Sequence, residues 1–331
     1  MSKFTEKVML IGNDTVQKYA DADMAIKMVA KTWEWYGRGE IIMPPKITTD
    51  MSSAGVAGWF NSMPCYVKPY DIAGIKLVGG YDNNKKKGMP YIKANIMLTD
   101  PNSGMLKAVV SGDWISDFRT GSQPAIMAKH LAYKTDVVTI IGSGLQGYTS
   151  LLCMSRLLDI KEVRVCDLSE AARKSFIAKF GNARFTLVEY TDNEAACRDS
   201  DIIITVTNAD AELVKASWVK PGSLVMTMGS FKETEPEVVL NADVIAVDHV
   251  AQSLHRGNIK PLYESGLITE SSFDIEIALL LAGKQKYVPS PDKRVYAQIV
   301  GMGCPDVVIA ETVRRRIQEQ TSNNNYFDMQ S

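Results

Sequence analysis

The sequence is poor in the features that would indicate a metal, a nucleic acid or a membrane as a partner. Its 331 residues include only three histidines, without the H-E-x-x-H spacing of a zinc site, so we expect no metal. The five cysteines are scattered and form no C-x-x-C pair, which indicates a reducing, cytoplasmic compartment and no structural zinc. A formal net charge of −1 gives no reason to expect a nucleic acid or an anionic membrane surface.

Long apolar runs are also missing. No run is long enough to cross a membrane, and the N-terminal stretch MSKFTEKVML lacks the apolar core of a signal peptide. The remaining composition, 46% hydrophobic and 23% charged, is that of a soluble globular protein with one large domain or two ordinary ones. The tail from Thr321, TSNNNYFDMQS, is expected to be a frayed end.

The chain changes character near residue 120. Beyond it, short β-branched runs alternate with helical patterns, which predicts an α/β fold with a parallel sheet and helices on both faces. The predicted strands lie at 137–141, 163–166, 185–188, 202–206, 224–226 and 244–247, and the first two predicted helices at 147–158 and 170–180.

The first 120 residues show a different pattern. One long helix is predicted over 15–38, followed by turn-rich strands that include 74–80 and 94–100. A last helix, over 305–320, lies beyond the sheet pattern and is expected to return and pack on the N-terminal part. We therefore predict one lobe from residues 1–120 plus 301–331, and a second domain from residues 121–300.

The stretch VVTIIGSGLQGYTSLL joins a predicted strand to a predicted helix through the pattern G-x-G-x-x-G. Gly142 permits the tight turn, Gly144 lets the backbone approach a pyrophosphate, and Gly147 lets helix and strand pack closely. The helix N-terminus then offers N–H groups and a partial positive charge to the phosphates. A purely structural turn is the alternative, but the strand, the helix and the acidic residue that follows favour dinucleotide binding.

That acidic residue is Asp167, at the end of the next predicted strand. Its carboxylate would accept hydrogen bonds from the adenosine ribose and repel a 2′-phosphate, so NAD is favoured over NADP. Arg173 and Lys174 lie close downstream and weaken this preference, because a cation can accommodate the phosphate.

Three cations outside this domain are candidate substrate ligands. Lys76 lies in GIKLVGG, Arg119 in ISDFRTGSQ at the predicted start of a helix, and Lys46 follows two prolines. A lone lysine or arginine is usually a solvated surface charge. The apolar neighbours Ile75 and Leu77 instead predict that Lys76 is buried on both faces of its strand, where it needs an anionic partner or has a lowered pKa.

Several segments together resemble the ornithine cyclodeaminase and mu-crystallin family. They are NSMPCYV, GIKLVGGYDNN, GMPYIKANIMLTDPNSG, FRTGSQPAIMAKHLA, the glycine-rich stretch and GMGCPDVVIAETV. The resemblance implies a Rossmann-type doubly wound parallel sheet inserted into an α+β substrate-binding and dimerisation lobe, and a homodimer. It also implies a nicotinamide cofactor and a small α-amino or α-imino acid substrate. Family members cyclise ornithine with loss of ammonia, or act as amino-acid dehydrogenases or imine reductases.

The resemblance also implies a set of site residues. Lys76 and Arg119 match the positions that hold the substrate carboxylate, and Lys46 and Asn61 match further substrate positions. An arginine fork and a compact lysine charge both suit a carboxylate. Thr205, Val206 and Thr207 lie at the end of the fourth predicted strand, and Asp248 follows the sixth, where ligands of such sheets gather. The cofactor positions that we predict, besides Gly142, Gly144, Gly147 and Asp167, are Arg119, Thr120, Ser143, Leu145, Gln146, Thr205, Val206, Thr207, Gly229, Ser230 and Asp248.

Three positions depart from the cyclodeaminase pattern. Lys46 stands where that pattern has an arginine, and Asn61 where it has a glutamate. Loss of that glutamate weakens the case for a diamino acid, since a side-chain ammonium loses an anionic neighbour. Ser230 or Phe231 occupies the place of a catalytic aspartate in the stretch MGSFKETEPE.

The identity of the general base is therefore open. Lys76 would feel the like charge of Arg119, and the resulting lower pKa makes proton exchange with an amine or imine plausible. His249, which follows the sixth predicted strand, is a second catalytic candidate, with a structural hydrogen bond as its alternative role. Glu233 or Glu235 could replace the aspartate.

Two functions compete: an enzyme of amino-acid metabolism, and a weakly catalytic nucleotide-dependent binding protein of the mu-crystallin type.

Overall fold

The computed structural model describes residues 5–320 and 326–329. The chain divides into two compact units: unit 1 comprises Met1–Arg119 and Met302–Ser331, and unit 2 comprises Thr120–Gly301. In the part of the chain that the structure describes, no helix is both long and apolar enough to cross a membrane.

The regular elements are numbered along the chain. The strands are β1 (Lys7–Ile11), β2 (Ile41–Ile42), β3 (Ile47–Asp50), β4 (Gly58–Val67), β5 (Ile72–Tyr81), β6 (Ile92–Thr99), β7 (Leu106–Ser111), β8 (Val137–Ile141), β9 (Glu162–Cys166), β10 (Thr186–Tyr190), β11 (Ile202–Thr205), β12 (Leu224–Met228), β13 (Val244–Val247), β14 (Ile275–Glu276), β15 (Val295–Ile299) and β16 (Tyr326–Asp328). The α-helices are α1 (Asn13–Tyr19), α2 (Ala22–Arg38), α3 (Asp113–Leu131), α4 (Leu145–Leu157), α5 (Glu170–Ala178), α6 (Asn193–Cys197), α7 (Pro236–Leu240), α8 (Val250–Ser253), α9 (Ile259–Glu264), α10 (Ile277–Leu281) and α11 (Cys304–Gln320).

Unit 1 is built on a mixed sheet in the order β16-β1-β7-β6-β5-β4-β2, with β3 also paired to β4. The strands pair antiparallel except β1 and β7, which are parallel. The final helix α11 packs against β4, β5 and β6 and also contacts α2. One face of the sheet is thus covered by helices, and its side chains form the core of this unit.

The predictions for the first helix and for the C-terminal tail are wrong. The single helix expected over 15–38 is broken into α1 and α2 at Asp21, whose carboxylate accepts a hydrogen bond from the Met24 N–H at 2.7 Å and caps α2. Such a cap replaces a backbone acceptor and starts a new helix. The tail was expected to fray, but Tyr326–Asp328 forms β16 on the edge of β1; residues 321–325 lie outside the described part of the chain.

The other face of this sheet carries an apolar row. The pairing register aligns its members across five adjacent strands: Pro64, Ile75, Met97, Val109 and Leu10. Leu10 is 50% exposed and Met97 is 37% exposed, and Ile75 is half-buried. Lys76 itself is buried, but Ile75 beside it is only half-buried on this other face, so the expectation that both faces of the strand are buried around Lys76 is wrong.

Unit 2 is built on a wholly parallel sheet in the order β10-β9-β8-β11-β12-β15-β13-β14. All six predicted strands are present, and the order confirms the doubly wound parallel fold. From β8 the chain builds outward to β10, then returns to place β11 on the other side of β8. The carboxyl ends of β8 and β11 flank the switch point where such sheets bind ligands. The strand β15 was not predicted; it lies between β12 and β13.

Candidate active site

A buried carboxylate in unit 1 joins two of the predicted substrate ligands. Lys76 on β5 donates from Nζ to Asp306 Oδ1 at 2.6 Å and to Ser116 Oγ at 2.8 Å. Arg119 Nε lies 3.1 Å from Asp306 Oδ2. The Lys76 and Asp306 side chains are both 0% exposed, and that of Arg119 is 10% exposed. We call these four residues the lysine–arginine cluster.

Burial and charge set the protonation of this cluster. Burial and, to a smaller extent, the positive charge of Arg119 lower the pKa of Lys76, and Asp306 acts in the opposite direction, so that the pKa is about 8. Burial also raises the pKa of Asp117 to about 6, assisted by the charge of Asp113. Lys76 can therefore exchange a proton close to neutral pH, which an exposed lysine cannot do.

Helix α3 supplies the arginine from its interior. The prediction that Arg119 starts a helix is wrong, since α3 begins at Asp113, whose Oδ1 accepts a hydrogen bond from the Ala94 N–H at 2.9 Å. Ser116 and Arg119 are three positions apart and so lie on one face of α3. Asp306 lies in the first turn of α11.

The two other predicted substrate residues have different settings. Asn61 is buried on β4, on the same sheet face as Met63, the residue that pairs with Lys76. Its Oδ1 accepts a hydrogen bond from Thr48 Oγ1 at 2.6 Å. Lys46 is half-exposed in the segment between β2 and β3. Asn61 thus faces the side of the sheet on which the lysine–arginine cluster is built.

The glycine-rich stretch of unit 2 turns tightly between β8 and α4. Gly142 has a φ of +110°, and a Cβ there would lie 2.7 Å from the Val206 carbonyl oxygen. A Cβ on Gly147 would lie 2.2 Å from the Gly142 carbonyl oxygen. A Cβ on Gly144 would meet nothing within 4 Å, so the space in front of that backbone is open. These contacts fit the roles predicted for the three glycines.

Asp167 connects this turn to the end of β9. Its Oδ2 accepts hydrogen bonds from the Ser143 N–H and Oγ–H, both at 2.9 Å, and its Oδ1 accepts one from the Ser169 N–H at 2.9 Å. Burial alone would raise the pKa of Asp167, but these hydrogen bonds outweigh it and hold the pKa below its usual value. The carboxylate is therefore ionised beside the glycine-rich turn.

The cations downstream of Asp167 are engaged elsewhere. Arg173 is buried and donates to the Asp167 carbonyl oxygen at 2.5 Å and to Glu189 Oε2 at 3.2 Å. Lys174 pairs with Glu170 one turn away. The residue that follows Asp167 is Leu168, whose side chain is fully exposed and uncharged.

A buried glutamate holds the predicted cofactor residues after β11. Glu233 accepts hydrogen bonds from Thr205 Oγ1 at 2.9 Å, from the Thr207 N–H at 2.8 Å and from Thr207 Oγ1 at 2.6 Å. Burial raises the pKa of Glu233 to about 7, against the effect of these hydrogen bonds. Because both oxygens hold the segment that lies against Gly142, the geometry favours a positioning role for Glu233. Glu235 accepts from the Ala216 N–H at 2.9 Å.

Asp248 and His249, after β13, both support their own surroundings. Asp248 is buried and accepts hydrogen bonds from the Val300 N–H at 3.1 Å and the Gly301 N–H at 2.7 Å. His249 Nδ1 accepts from the Gln252 N–H at 3.4 Å and caps α8. The geometry of His249 thus supports the structural hydrogen bond that was considered as its alternative role.

The other predicted cofactor positions lie at the ends of elements or in α3. Leu145 and Gln146 begin α4, and Leu145 is 54% exposed. Thr120 is half-buried in α3. Gly229 has a φ of +100° after β12, and the exposed Ser230 that follows accepts a hydrogen bond from Arg256 Nη1 at 3.1 Å. Neither Ser230 nor Phe231 offers a carboxylate at the place of the family aspartate.

Sequence reasoning missed Asp306 and Ser116 in the lysine–arginine cluster. A signal existed for Asp306, because it is the acidic residue within the apolar stretch GCPDVVIA. Within residues 5–320 and 326–329, no group of three or more His, Cys, Asp or Glu side chains could hold a metal ion.

The chain is similar to known proteins over most of its length. The family model for the ornithine cyclodeaminase/mu-crystallin family matches residues 5–321. Alanine dehydrogenase of Archaeoglobus fulgidus is 28% identical over 313 residues, which cover 93% of this chain and 94% of that protein. Ketimine reductase mu-crystallin of Rattus norvegicus is 29% identical over 281 residues, 82% of this chain and 84% of that protein.

A solved structure shares the architecture. The archaeal alanine dehydrogenase dimer with bound NAD superposes with a TM-score of 0.90 at 26% sequence identity. The match covers 98% of this chain and 99% of that one.

Proposed function

Because the chain belongs to the ornithine cyclodeaminase/mu-crystallin family, we propose that it is an NAD-dependent enzyme of amino-acid metabolism. It moves a hydride to or from the α-carbon of a small α-amino or α-imino acid, as a cyclodeaminase, an amino-acid dehydrogenase or an imine reductase. The observation that carries this proposal is the lysine–arginine cluster, which holds two buried cations, one with a pKa of about 8, around one carboxylate. The alanine dehydrogenase and ketimine reductase relatives support it.

In this proposal unit 1 binds and orients the substrate. The Arg119 guanidinium offers a planar fork to the α-carboxylate, and Lys76 adds a compact positive charge. Lys76 Nζ also gives or takes the proton that accompanies reduction or oxidation at the α-carbon, with Asp306 and Ser116 fixing its position.

Unit 2 has the features needed to hold NAD. The open backbone at Gly144 and the N-terminus of α4 suit a pyrophosphate, and the ionised Asp167 suits two ribose hydroxyls. Arg173 is turned into the protein and Leu168 is apolar, so NAD is favoured over NADP. When bound, NAD supplies or accepts the hydride, and the residues of the chain supply position and proton control.

Replacing Asp167 by serine should lower the affinity for NADH about tenfold to a hundredfold, the effect of losing a hydrogen bond to a charged group. Affinity for NADPH should fall less, because repulsion of the 2′-phosphate is relieved at the same time. Fluorescence titration with each dinucleotide measures both, and Glu162→Gln, at the other end of β9, is the control. Tighter binding of NADPH than NADH by the unaltered protein would refute the assignment.

A substrate screen tests the enzyme proposal as a whole. The purified protein is incubated with NAD or NADH and with ornithine, lysine, alanine, pyruvate plus amines, or cyclic imines. Turnover with a net change in NADH identifies a dehydrogenase or reductase, and turnover without one identifies a cyclodeaminase.

The missing carboxylate at Ser230 and Phe231 favours a second candidate, a weakly catalytic binding protein of the mu-crystallin type. NADH binding without turnover of any compound would decide for that candidate.

We further propose that the protein is a homodimer that pairs the apolar row of unit 1 with its copy. An exposed row of apolar side chains across five strands loses its contact with water when a second sheet covers it. The alanine dehydrogenase structure named above is a dimer.

We also propose a cytoplasmic location, which fits the five cysteines, all buried as thiols.

Replacing Met97 by lysine should convert the dimer to a monomer at micromolar concentration. The change places a charge at the centre of the apolar row, where pairing of two copies would bury two like charges. Light scattering measures the mass. The control is Lys68→Met, a change between lysine and methionine away from the row. A monomeric unaltered protein, or a Met97→Lys variant that stays dimeric, would place the interface elsewhere.

A further inference from the structure

A cavity of about 310 Å³ opens in unit 2 at the amino ends of two neighbouring strands. Val225 is the second residue of β12 and Val295 is the first residue of β15, and the two strands pair in parallel. Each strand has five residues, so the cavity lies about 13 Å from the opposite edge of the sheet, where Gly229 and Ser230 follow β12. The predicted cofactor residues therefore do not account for this cavity.

The floor of the cavity is apolar. Four valines that are at most 7% exposed line it: Val219, Val225, Val238 and Val295. Small-molecule sites have volumes of about 300–1,000 Å³, so this cavity has the size for one small ligand. A short aliphatic group suits such a floor, whereas a polar group would lose its hydrogen bonds to water there.

The rim of the cavity carries one cation and one carboxylate, and the cation is Arg294. Arg294 Nε donates to the Val219 carbonyl oxygen at 3.1 Å, which fixes the guanidinium beside the floor. Asp243 Oδ2 accepts from the Arg294 backbone N–H at 2.8 Å and not from its guanidinium. Among the residues that the structure describes, the two terminal nitrogens of Arg294 have no hydrogen-bond or ion-pair partner. They can therefore donate in parallel to a carboxylate.

The carboxylate of the rim is Glu237, in the first turn of α7. Asn241 lies four positions further on, and its N–H donates to the Glu237 carbonyl oxygen at 2.9 Å, so the two side chains lie on one side of the helix. Ser217 completes the rim. All three residues are exposed, and their side chains bond to no other residue of the described part of the chain. A carboxylate, an amide oxygen and a hydroxyl are acceptors for the three N–H groups of an ammonium.

We propose that this cavity binds an α-amino acid with a short aliphatic side chain. Its carboxylate lies against Arg294, its ammonium against Glu237, and its side chain on the four valines. A simple acid would leave Glu237 without a cation, and a simple amine would leave Arg294 without an anion, so the zwitterion is the ligand that matches both charges. Because the cavity and the predicted cofactor residues lie at opposite edges of one sheet, this amino acid is a ligand in addition to the substrate.

L-Leucine is the probe, and isocaproate and isoamylamine are its analogues without the ammonium and without the carboxylate. Isothermal titration of the purified protein with NADH bound should show leucine binding about tenfold to a hundredfold more tightly than either analogue, the effect of a charge-assisted hydrogen bond. Arg294→Gln should remove the advantage of leucine over the amine, and Glu237→Gln its advantage over the acid. The controls Arg184→Gln and Glu270→Gln remove exposed charges of unit 2 outside the cavity and should keep both advantages.

The proposed substrate anchor in unit 1 is the alternative location for leucine. Binding that is weakened in Arg119→Lys but unchanged in Arg294→Gln and Glu237→Gln would assign leucine to unit 1 and overturn the proposal. Equal binding of leucine and both analogues by the unaltered protein, or no binding of leucine at millimolar concentration, would overturn it even if the variants do not fold. Leucine binding that depends on Arg294 and Glu237 supports the cavity whether or not the substrate screen finds turnover, so this result is independent of the enzyme proposal.

Discussion

Replacing Arg119 by lysine is expected to lower kcat/KM about tenfold to a hundredfold while NADH binding survives. The variant keeps the charge but loses the fork that fits a carboxylate, and one charge-assisted hydrogen bond contributes about 1.5–3 kcal/mol. Lys76→Met should cost more, because it removes a proton carrier as well as a charge. The methionine has a similar shape and leaves Asp306 its contact with Arg119.

Steady-state kinetics on the substrate found by the screen, with NADH fluorescence titration beside it, measures these effects. The pH profile gives a second readout, because the limb of kcat/KM that reports Lys76 near pH 8 should be absent in Lys76→Met. Lys107→Met is the control. Lys107 lies in the same sheet as Lys76, and its Nζ pairs with Asp100 Oδ2 at 2.8 Å. Near-normal kcat/KM in both variants would show that the carboxylate anchor lies elsewhere.

Replacing Asp306 by asparagine should lower the free energy of unfolding by about 3–5 kcal/mol, because it leaves buried cations without their carboxylate. Urea denaturation measures the change. Glu34→Gln is the matched control: Glu34 also pairs with two cations, Lys31 and Arg38, but on the surface, and its loss should cost less than about 1 kcal/mol. Equal losses in the two variants would contradict a buried ionic cluster.

The same variant should move the pH dependence of stability. The folded-state pKa of Lys76 is about 8, below the value of 10.5 for a free lysine, so the unfolded chain binds more protons in this interval. Stability should therefore rise as pH increases from about 8 to about 10.5. Asp306 raises the pKa of Lys76, so in Asp306→Asn the rise should begin at a lower pH. Urea denaturation curves recorded from below pH 8 to about pH 10.5 measure the onset of this rise in both proteins. An onset at the same pH in both would count against the coupling of Asp306 to Lys76.

The sheet of unit 2 could be predicted because its central strands are buried on both faces and read as short β-branched runs, as in Ile202–Thr205. The strand β15 escaped the same reasoning because Gln298 interrupts its apolar pattern. In the structure Gln298 donates to the Ser253 and Arg256 carbonyl oxygens, so a polar side chain is tolerated inside the sheet. Those acceptors are distant in sequence and could not be foreseen.

For the candidate site, the local residues were predictable and their partners were not. The burial of Lys76 and its need for an anion follow from its apolar strand, and the structure shows both. The anion itself, Asp306, lies 230 positions away, and no local pattern connects the two. The break at Asp21 was missed although its signal is local. Asp21 caps the second helix, but it lies within the helical pattern and was interpreted as part of one continuous helix.

The discontinuous chain of unit 1 has a consequence for its biosynthesis. A ribosome delivers Lys76 and Arg119 early, then the whole of unit 2, and only afterwards Asp306 on α11 and the edge strand β16. Domains generally fold as units during synthesis, so unit 2 can complete its sheet while unit 1 still lacks its last helix. Until α11 emerges, both cations lack the carboxylate of Asp306. The doubly wound fold of unit 2 can thus be complete before the lysine–arginine cluster is assembled.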